Sequence, residues 1–380
     1  MSPIKNKSTF STRLLAWHKR HGRHDLPWQR TRDAYRIWVA EIMLQQTQVA
    51  AVIPYYRRFL ERFPDIPSLA GAPQDEVLRL WSGLGYYSRA RNLQRAAQLV
   101  AERHGGVFPR ALTEIQALPG IGRSTAAAIA AFAYGTRAAI LDGNVKRVLA
   151  RHFAVAGFPG EKRVEERLWQ LAEEQLPPRA IGRYTQAMMD LGATLCTRAK
   201  PRCADCPLAQ SCRALALARV REFPAPRPAK ALPTRATSML LLLRNGEILL
   251  EKRPSSGIWG GMWSLPELAD EARARAHCRT IYGCSIAAPQ PLAPLAHGFT
   301  HFKLQIQPLL CLVEKLTATA GEPGQIWLSL EEAHGAAIPV PVRRLLERLL
   351  GVPGATPAAP KASQANSASK PSSGSKRSLR

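Results

Sequence analysis

The sequence predicts two domains of different class: an all-α domain over residues 1–220 and an α+β domain over residues 237–350. Three observations carry this prediction. Apolar residues at helical spacing, cut by Gly and Pro, fill the chain from Thr9 to Arg213. Residues 221–233 then hold four prolines and cannot continue a helix. Beyond them Asn245-Gly246 stands between two apolar runs, the strongest short-range signal of a β-hairpin.

Each element follows from its residues. Ile37, Trp38 and Ile42 place a helix over Tyr35–Leu44, and Val49–Phe63 reads as a second. Phe63-Pro64, Gly83-Leu84-Gly85, Gly105-Gly106 and Leu118-Pro119-Gly120 break the pattern, so the region is short helices joined by tight turns. Residues 221–236 are expected to be an extended linker. Strands are expected at Thr237–Leu243, Glu247–Leu250 and Leu304–Val313, and a helix at Val340–Leu350. Residues 351–380, a mixture of Ala, Pro, Ser and Lys, read as a disordered basic tail.

Charge narrows the function. Lys and Arg outnumber Asp and Glu by 53 to 28, a formal charge of +25. The tail contributes only five of these cations. A surface that neutralises phosphates needs such an excess, because counterion release then drives binding. No apolar run approaches the ~18 residues of a membrane span, and no basic amphipathic helix stands out. Nucleic acid is therefore the expected partner, with no membrane, and a monomer is expected. Met1–Arg20 lacks the apolar segment of a secretory signal, so a cytoplasmic, nucleoid-associated location is expected.

In a reducing compartment seven cysteines are not expected to form a disulfide framework. Four of them, Cys196, Cys203, Cys206 and Cys212, follow C-x6-C-x2-C-x5-C within 17 residues. One loop of that length can wrap a single centre, and both zinc and an iron–sulfur cluster accept four thiolates. Structural zinc more often uses two C-x2-C pairs, and only one is present. The spacing resembles the [4Fe–4S] loop of the endonuclease III superfamily. Arg198, Lys200, Arg202 and Arg213 on the same loop suit phosphate contacts, which points to a structural cluster.

Upstream, Leu118-Pro-Gly-Ile-Gly-Arg-Ser-Thr-Ala126 is a Pro-Gly-x-Gly turn entering an Ala-rich helix. Gly120 and Gly122 both permit positive φ, and the free N–H groups at the helix start suit a phosphate. Placed before Leu141-Asp-Gly-Asn-Val-Lys-Arg-Val148, the turn resembles a helix-hairpin-helix with its downstream aspartate. Bifunctional members of that superfamily carry a nucleophilic lysine where this chain has Ser124. Its absence implies a glycosylase without lyase activity. Lys146 reads as a phosphate contact.

Glu41-Ile-Met-Leu-Gln-Gln-Thr-Gln-Val49, Gly83-Leu-Gly-Tyr-Tyr-Ser-Arg-Ala-Arg-Asn92 and Leu26-Pro-Trp28 are similar to the MutY family of adenine glycosylases. The resemblance runs over nearly all of residues 10–212. A purine N-glycosidic bond breaks through an oxocarbenium-like sugar, so the base needs a proton and the sugar an anion. The resemblance implies Glu41 as the acid and Asp142 as the stabiliser of the sugar, or its transient covalent partner. Asn144 is implied to position Asp142 and water. On the Gly-Leu-Gly turn the Tyr86 ring can wedge beside the opposite base, and the Gln46 amide can fill the vacated stack, while the resemblance implies that Leu84 and Thr47 contact the opposite strand. Trp28 and Gln186 fall at positions lining the adenine pocket. Of Tyr86 and Tyr87, one is expected to be ordinary core.

In the second domain, Gly261-Met-Trp-Ser-Leu-Pro-Glu267 resembles the start of a Nudix box, but Ala272-Arg-Ala-Arg-Ala-His277 replaces its acidic continuation. Without clustered carboxylates no Mg²⁺ cage forms. The domain resembles a Nudix fold turned into a reader, as in the C-terminal domain of the same glycosylases. His297-Gly-Phe-Thr-His301 is similar to their 8-oxoguanine-sensing loop, whose second histidine follows a serine; here Thr300 stands between Phe299 and His301. Together these resemblances imply a monofunctional adenine DNA glycosylase of base excision repair that acts on duplex DNA, on adenine opposite 8-oxoguanine or guanine. An endonuclease III-like lyase leaves Ser124 and the Glu41 segment unexplained. A non-enzymatic iron–sulfur regulator explains only charge and cysteines.

Overall fold

The computed structural model describes residues 9–228, 231–316 and 324–351, so the expected tail lies outside the described residues beyond Gly351. The N-terminal region is helical, as its spacing implies. In chain order its helices are α1 (Phe10–His21), α2 (Ala34–Leu44), α3 (Val49–Arg62), α4 (Ile66–Ala70), α5 (Gln74–Trp81) and α6 (Ser88–His104). Then follow α7 (Leu112–Ala117), α8 (Arg123–Tyr134), α9 (Gly143–His152), α10 (Lys162–Glu174), α11 (Ile181–Asp190) and α12 (Arg213–Ala216). They form two lobes with separate cores. One gathers Trp38, Phe59, Trp81 and Leu93, the other Leu14, Leu149, Leu168 and Met188. Helix α8 serves both: Ala126 and Ala130 face the first core, Ala127 and Ala128 the second. Its alanines let helices approach on two sides.

The second domain contains β1 (Thr234–Arg244), β2 (Glu247–Lys252), β3 (Trp263–Ser264), β4 (Glu267–Leu268), β5 (Cys284–Ile286), β6 (Gln290–Pro291), β7 (Leu295–Gly298), β8 (Lys303–Leu316) and β9 (Gln325–Ser329). Helices α13 (Ala274–Tyr282), α14 (Leu330–Gly335) and α15 (Val340–Leu349) complete it. The main path of the sheet runs β3-β2-β1-β8-β5. Strands β1 and β8 pair in parallel, from Thr234 opposite Lys303 to Leu243 opposite Leu312. The Asn-Gly hairpin forms as expected, with Asn245 and Gly246 at φ 49° and 83° and Arg244 opposite Glu247. The paired positive φ values match the twist of the flanking strands.

The linker is shorter than its composition implies. Strand β1 begins at Thr234, inside the expected 221–236 segment. At the other end Arg151 Nε donates to the carbonyls of Val220 (3.1 Å) and Phe223 (2.8 Å), tying the start of the segment to α9. The two domains also share a core. The cluster holding Val77, Leu78 and Trp81 continues into Met239, Met262 and Leu345. Polar contacts edge this seam: Arg91 Nη1 donates to Gly260 O (2.6 Å), and Trp263 Nε1 to Asp75 Oδ2 (3.2 Å).

Candidate active site

A cavity of about 590 Å³ opens beside α2 and α11, lined by Trp28, Ile37, Glu41 and Gln186 with His18 and Arg23. Glu41 is the one acid of α2, a helix whose other side chains are buried except for Arg36 and Leu44. Burial first, and the charge of Asp142 second, push its carboxyl up to about 8. Trp28 is buried at one wall, its ring edge-on to Tyr56 with centroids 5.4 Å apart.

Gln186 donates from Nε2 to Asp190 Oδ1 at 2.8 Å. An ionised carboxylate only accepts, so this bond orients the amide and leaves the Gln186 carbonyl oxygen as an acceptor at the cavity. Asp190 is fully buried. Burial alone would raise its pKa, but His18, Arg23 and Gln186 together hold it below the ordinary value. Sequence reasoning missed Asp190, because a lone aspartate near the end of a helix carries no motif.

Asp142 caps α9, accepting from Val145 N (2.7 Å) and from Asn144 Nδ2 (3.3 Å). Burial pushes its pKa up, and those bonds and the Arg147 charge pull it only part of the way back, so it stays above the ordinary aspartate value. Asn144 Oδ1 accepts from Arg147 Nη2 at 2.7 Å, and the same guanidinium reaches Gly192 O and Cys196 O, each at 2.7 Å. A hydrogen-bonded chain thus runs from Asp142 to the first cysteine of the loop. Gly192 is required there, since a Cβ would lie 2.5 Å from Asn144 Cβ. Arg147, three residues after Asn144 on the same helix face, is a spacing that could have flagged it. Ser124 Oγ accepts from Leu141 N at 2.9 Å, pinning the chain just ahead of Asp142. Lys146 is already engaged, by Glu165 Oε1 (2.6 Å) and Pro159 O (3.4 Å), so a phosphate there would compete with Glu165.

In the hairpin only Gly120 has positive φ (80°); Gly122 is extended, with φ −86° and ψ 171°, contrary to the expectation for both. A Cβ at Gly120 would fall 2.9 Å from Asn92 Cβ, so close packing on α6 also excludes a side chain. Gly122 has open space around its Cα, as approach by a ligand needs. Nearby, Gln46 (φ 57°) and Tyr86 (φ 49°) are both non-glycine residues held in the left-handed region, a conformation that costs energy and needs support. Both are exposed, Tyr86 by 42%, and they share a small cavity with Gln45, Arg89 and Gly120.

Arg89 supplies the support. Its buried guanidinium donates to the carbonyls of Met43 (2.7 Å), Gln45 (2.6 Å) and Gly85 (3.0 Å) and to Thr47 Oγ1 (3.2 Å). One side chain therefore grips both segments. Tyr87 is the core tyrosine of the pair, its hydroxyl accepting from Gly83 N at 3.3 Å. Leu84 also turns its side chain into the core, so any contact it makes with DNA comes from its main chain.

The four loop cysteines are free, half-buried, and line one small cavity with Leu195 and Arg151. Arg151 Nη1 donates to Cys196 Sγ at 3.4 Å and to Thr197 O at 2.7 Å, closing the loop around the thiols. Among the described residues no three His, Cys, Asp or Glu side chains close to the geometry of a single metal ion. Four thiols around one cavity are a donor set that an iron–sulfur cluster accepts.

In the second domain Glu267, the surviving Nudix-type acid, pairs with Arg253. Phe299 stacks on Phe302 with centroids 4.4 Å apart and lies 5.5 Å from Trp259, while Thr300 and His301 are exposed at the turn between β7 and β8.

Comparison with known proteins agrees with this arrangement. Residues 39–174 match the family model of the HhH-GPD superfamily of base excision DNA repair proteins, and residues 238–348 match that of the NUDIX domain. A thermostable thymine-DNA glycosylase of known structure shares 30% identity at a TM-score of 0.51, over 55% of this chain and 95% of its own. Fold and site thus define a helix-hairpin-helix DNA glycosylase joined to a Nudix-like domain. The adenine DNA glycosylase of Buchnera aphidicola from Acyrthosiphon pisum is 36% identical over 90% of this chain and 97% of its own length. The human adenine DNA glycosylase is 35% identical over 96% of this chain and 78% of its own. The chain belongs to the adenine DNA glycosylase family of base excision repair, and DNA is its substrate. No helix among the described residues is long and apolar enough to cross a membrane.

Proposed function

We propose that the enzyme removes adenine paired with 8-oxoguanine, or with guanine, as a monofunctional glycosylase acting as a monomer on nucleoid DNA in the cytoplasm. The observation that carries the chemistry is the asymmetry of two neighbouring carboxyls. Nothing offsets the upward push of burial and charge on Glu41, whereas Asp142 is pulled back by Val145, Asn144 and Arg147. Environments that separate two carboxyls assign acid and anion. Glu41 holds the proton and delivers it to the ring of the extruded adenine, and the bond electrons leave with the base. Asp142 remains the anion beside the cationic sugar, or bonds to it for a time, until water adds. Asn144 holds Asp142 in place. Trp28 and Gln186 wall the adenine pocket, where the Gln186 carbonyl oxygen suits an exocyclic amino group.

Gln46 fills the stack that adenine vacates and Tyr86 wedges beside the opposite base, with Thr47 and the Leu84 main chain on the opposite strand, recovering the few kcal/mol of unstacking. The hairpin at Gly120 and Gly122, with Ser124 behind it, takes a backbone phosphate at the start of α8. Lys146 contributes only if phosphate displaces Glu165. Cys196, Cys203, Cys206 and Cys212 would hold a [4Fe–4S] cluster. When bound, it supplies four iron–thiolate bonds that cross-link the loop carrying Arg198, Lys200 and Arg202. Phe299, Thr300 and His301 read the opposite base, a reading supported by the exposure of Thr300 and His301 at the turn between β7 and β8.

Single-turnover excision on duplexes with adenine opposite 8-oxoguanine, guanine or thymine tests the reading. The first is expected to react fastest, with strand breaks only after alkali. Changing Thr300 and His301 together to alanine is expected to reduce the preference for 8-oxoguanine over guanine roughly tenfold. Equal rates on the two mispairs in the parent enzyme would sink the reader assignment. Because the domains share a core, this pair is a cleaner probe than truncation.

Ser124→Lys is expected to add strand cleavage and a borohydride-trapped complex, since an amine there can attack the sugar. Losing the Leu141 bond should also slow adenine release about fivefold. Absence of any trapped complex would mean that position 124 does not face the sugar.

A further inference from the structure

The loop that carries Tyr86 is held from the second domain as well as from its own. Ser82 ends α5 and immediately precedes Gly83. Its hydroxyl donates to Ile338 O at 2.7 Å and accepts from Arg343 Nη2 at 3.0 Å. Both partners belong to the Nudix-like domain, at the entrance to α15 and on its first turns. Arg343 is itself fixed by the carbonyls of His334 and Ala336.

Little slack separates Ser82 from the wedge. Tyr55 Oη donates to Ser82 O at 3.0 Å, and Gly83, at φ 100°, has that same hydroxyl 2.2 Å from where a Cβ would stand. Trp81 Nε1 and Arg89 then hold Gly85 O. A shift of Ser82 therefore passes to Leu84–Tyr86 instead of being absorbed. The exposed Thr300 and His301 lie in the domain that supplies Ile338 and Arg343. Phe302 of that loop and Leu345 of α15 fall in one core.

We propose that Arg343 and Ser82 form an interdomain latch, with Arg343 a positioning residue through which the Nudix-like domain sets the wedge loop for base extrusion. The proposal rests on the reading of Tyr86 as a wedge.

The test uses the full chain and a duplex carrying 2-aminopurine at the extruded position opposite 8-oxoguanine, whose fluorescence rises on unstacking. Ser82→Ala and Arg343→Ala are each expected to slow that rise roughly tenfold, with the double variant no slower than either single. Arg348→Ala, on the same helix but bonded to Ala293 O within its own domain, is expected to match the parent. Ser82→Ala keeps the test informative if Arg343→Ala unfolds, because it removes the contact from the helical side. Unchanged extrusion in Ser82→Ala while Tyr86→Ala is slow overturns the latch. Additive losses in the double variant also overturn it, as two independent structural effects. Unchanged extrusion in Tyr86→Ala defeats the wedge reading itself.

Discussion

Glu41→Gln is expected to slow adenine release about a thousandfold while duplex binding stays within a fewfold of the parent. A positioned general acid contributes roughly 10²–10⁴-fold, and glutamine keeps the shape without the transferable proton. With its carboxyl pushed up to about 8, Glu41 is protonated at neutral pH, so the parent's single-turnover rate should fall as pH rises through about 8. The same shift has a stability consequence whose sign is fixed by linkage. The folded chain retains a proton that the unfolded chain releases above 4.5, so this contribution is fully present below 4.5 and lost as pH rises through about 8. Glu41→Gln should therefore melt close to the parent at pH 4.5 and roughly several degrees above it at pH 8.5. Unchanged excision by the variant would remove Glu41 from the chemistry. A melting difference independent of pH would show instead that Glu41 titrates normally.

Much of this site is legible in sequence because its parts are contiguous. The Glu41–Val49 nonapeptide, the Gly83–Asn92 segment and the cysteine spacing each sit within one short stretch of chain, and their residue types point to their chemistry. The helices at 34–44 and 49–62 and the Asn-Gly hairpin follow from local periodicity and turn chemistry, which tertiary packing here does not override. What stays hidden is carried by bonds to backbone carbonyls. Arg89 grips Met43, Gln45 and Gly85, and Arg147 grips Gly192 and Cys196, but a carbonyl has no letter in the sequence. Neither does the seam between domains, where Val77 and Leu345 share one core although either could have been packed within its own domain. Gly122 fails for a related reason: glycine permits positive φ, but the residue after Gly120 and Ile121 needs only an extended N-cap. Lys146 reads as a free cation until folding brings Glu165 beside it.

Asp142→Asn separates the anion from the scaffold that holds it. Asparagine can still cap α9, because its side-chain oxygen accepts from Val145 N as the carboxylate does, so the variant is expected to melt within a few degrees of the parent. The charge is lost. Removing one preorganised electrostatic partner of a transition state costs roughly 10²–10³ in rate, and adenine release is expected to fall by about that factor with duplex binding retained. The two carboxyls are also coupled: burial is the main cause of the upward push on Glu41, and Asp142 adds to it. With Asp142 neutral, the part owed to charge disappears while the part owed to burial remains. The residual activity should then begin to fall at lower pH than in the parent, while still above the ordinary glutamate range. A residual rate whose pH profile coincides with that of the parent would mean that Asp142 does not act on Glu41 through its charge. The asymmetry that assigns acid and anion would then rest on the burial of Glu41 and on the bonds and charge that hold Asp142.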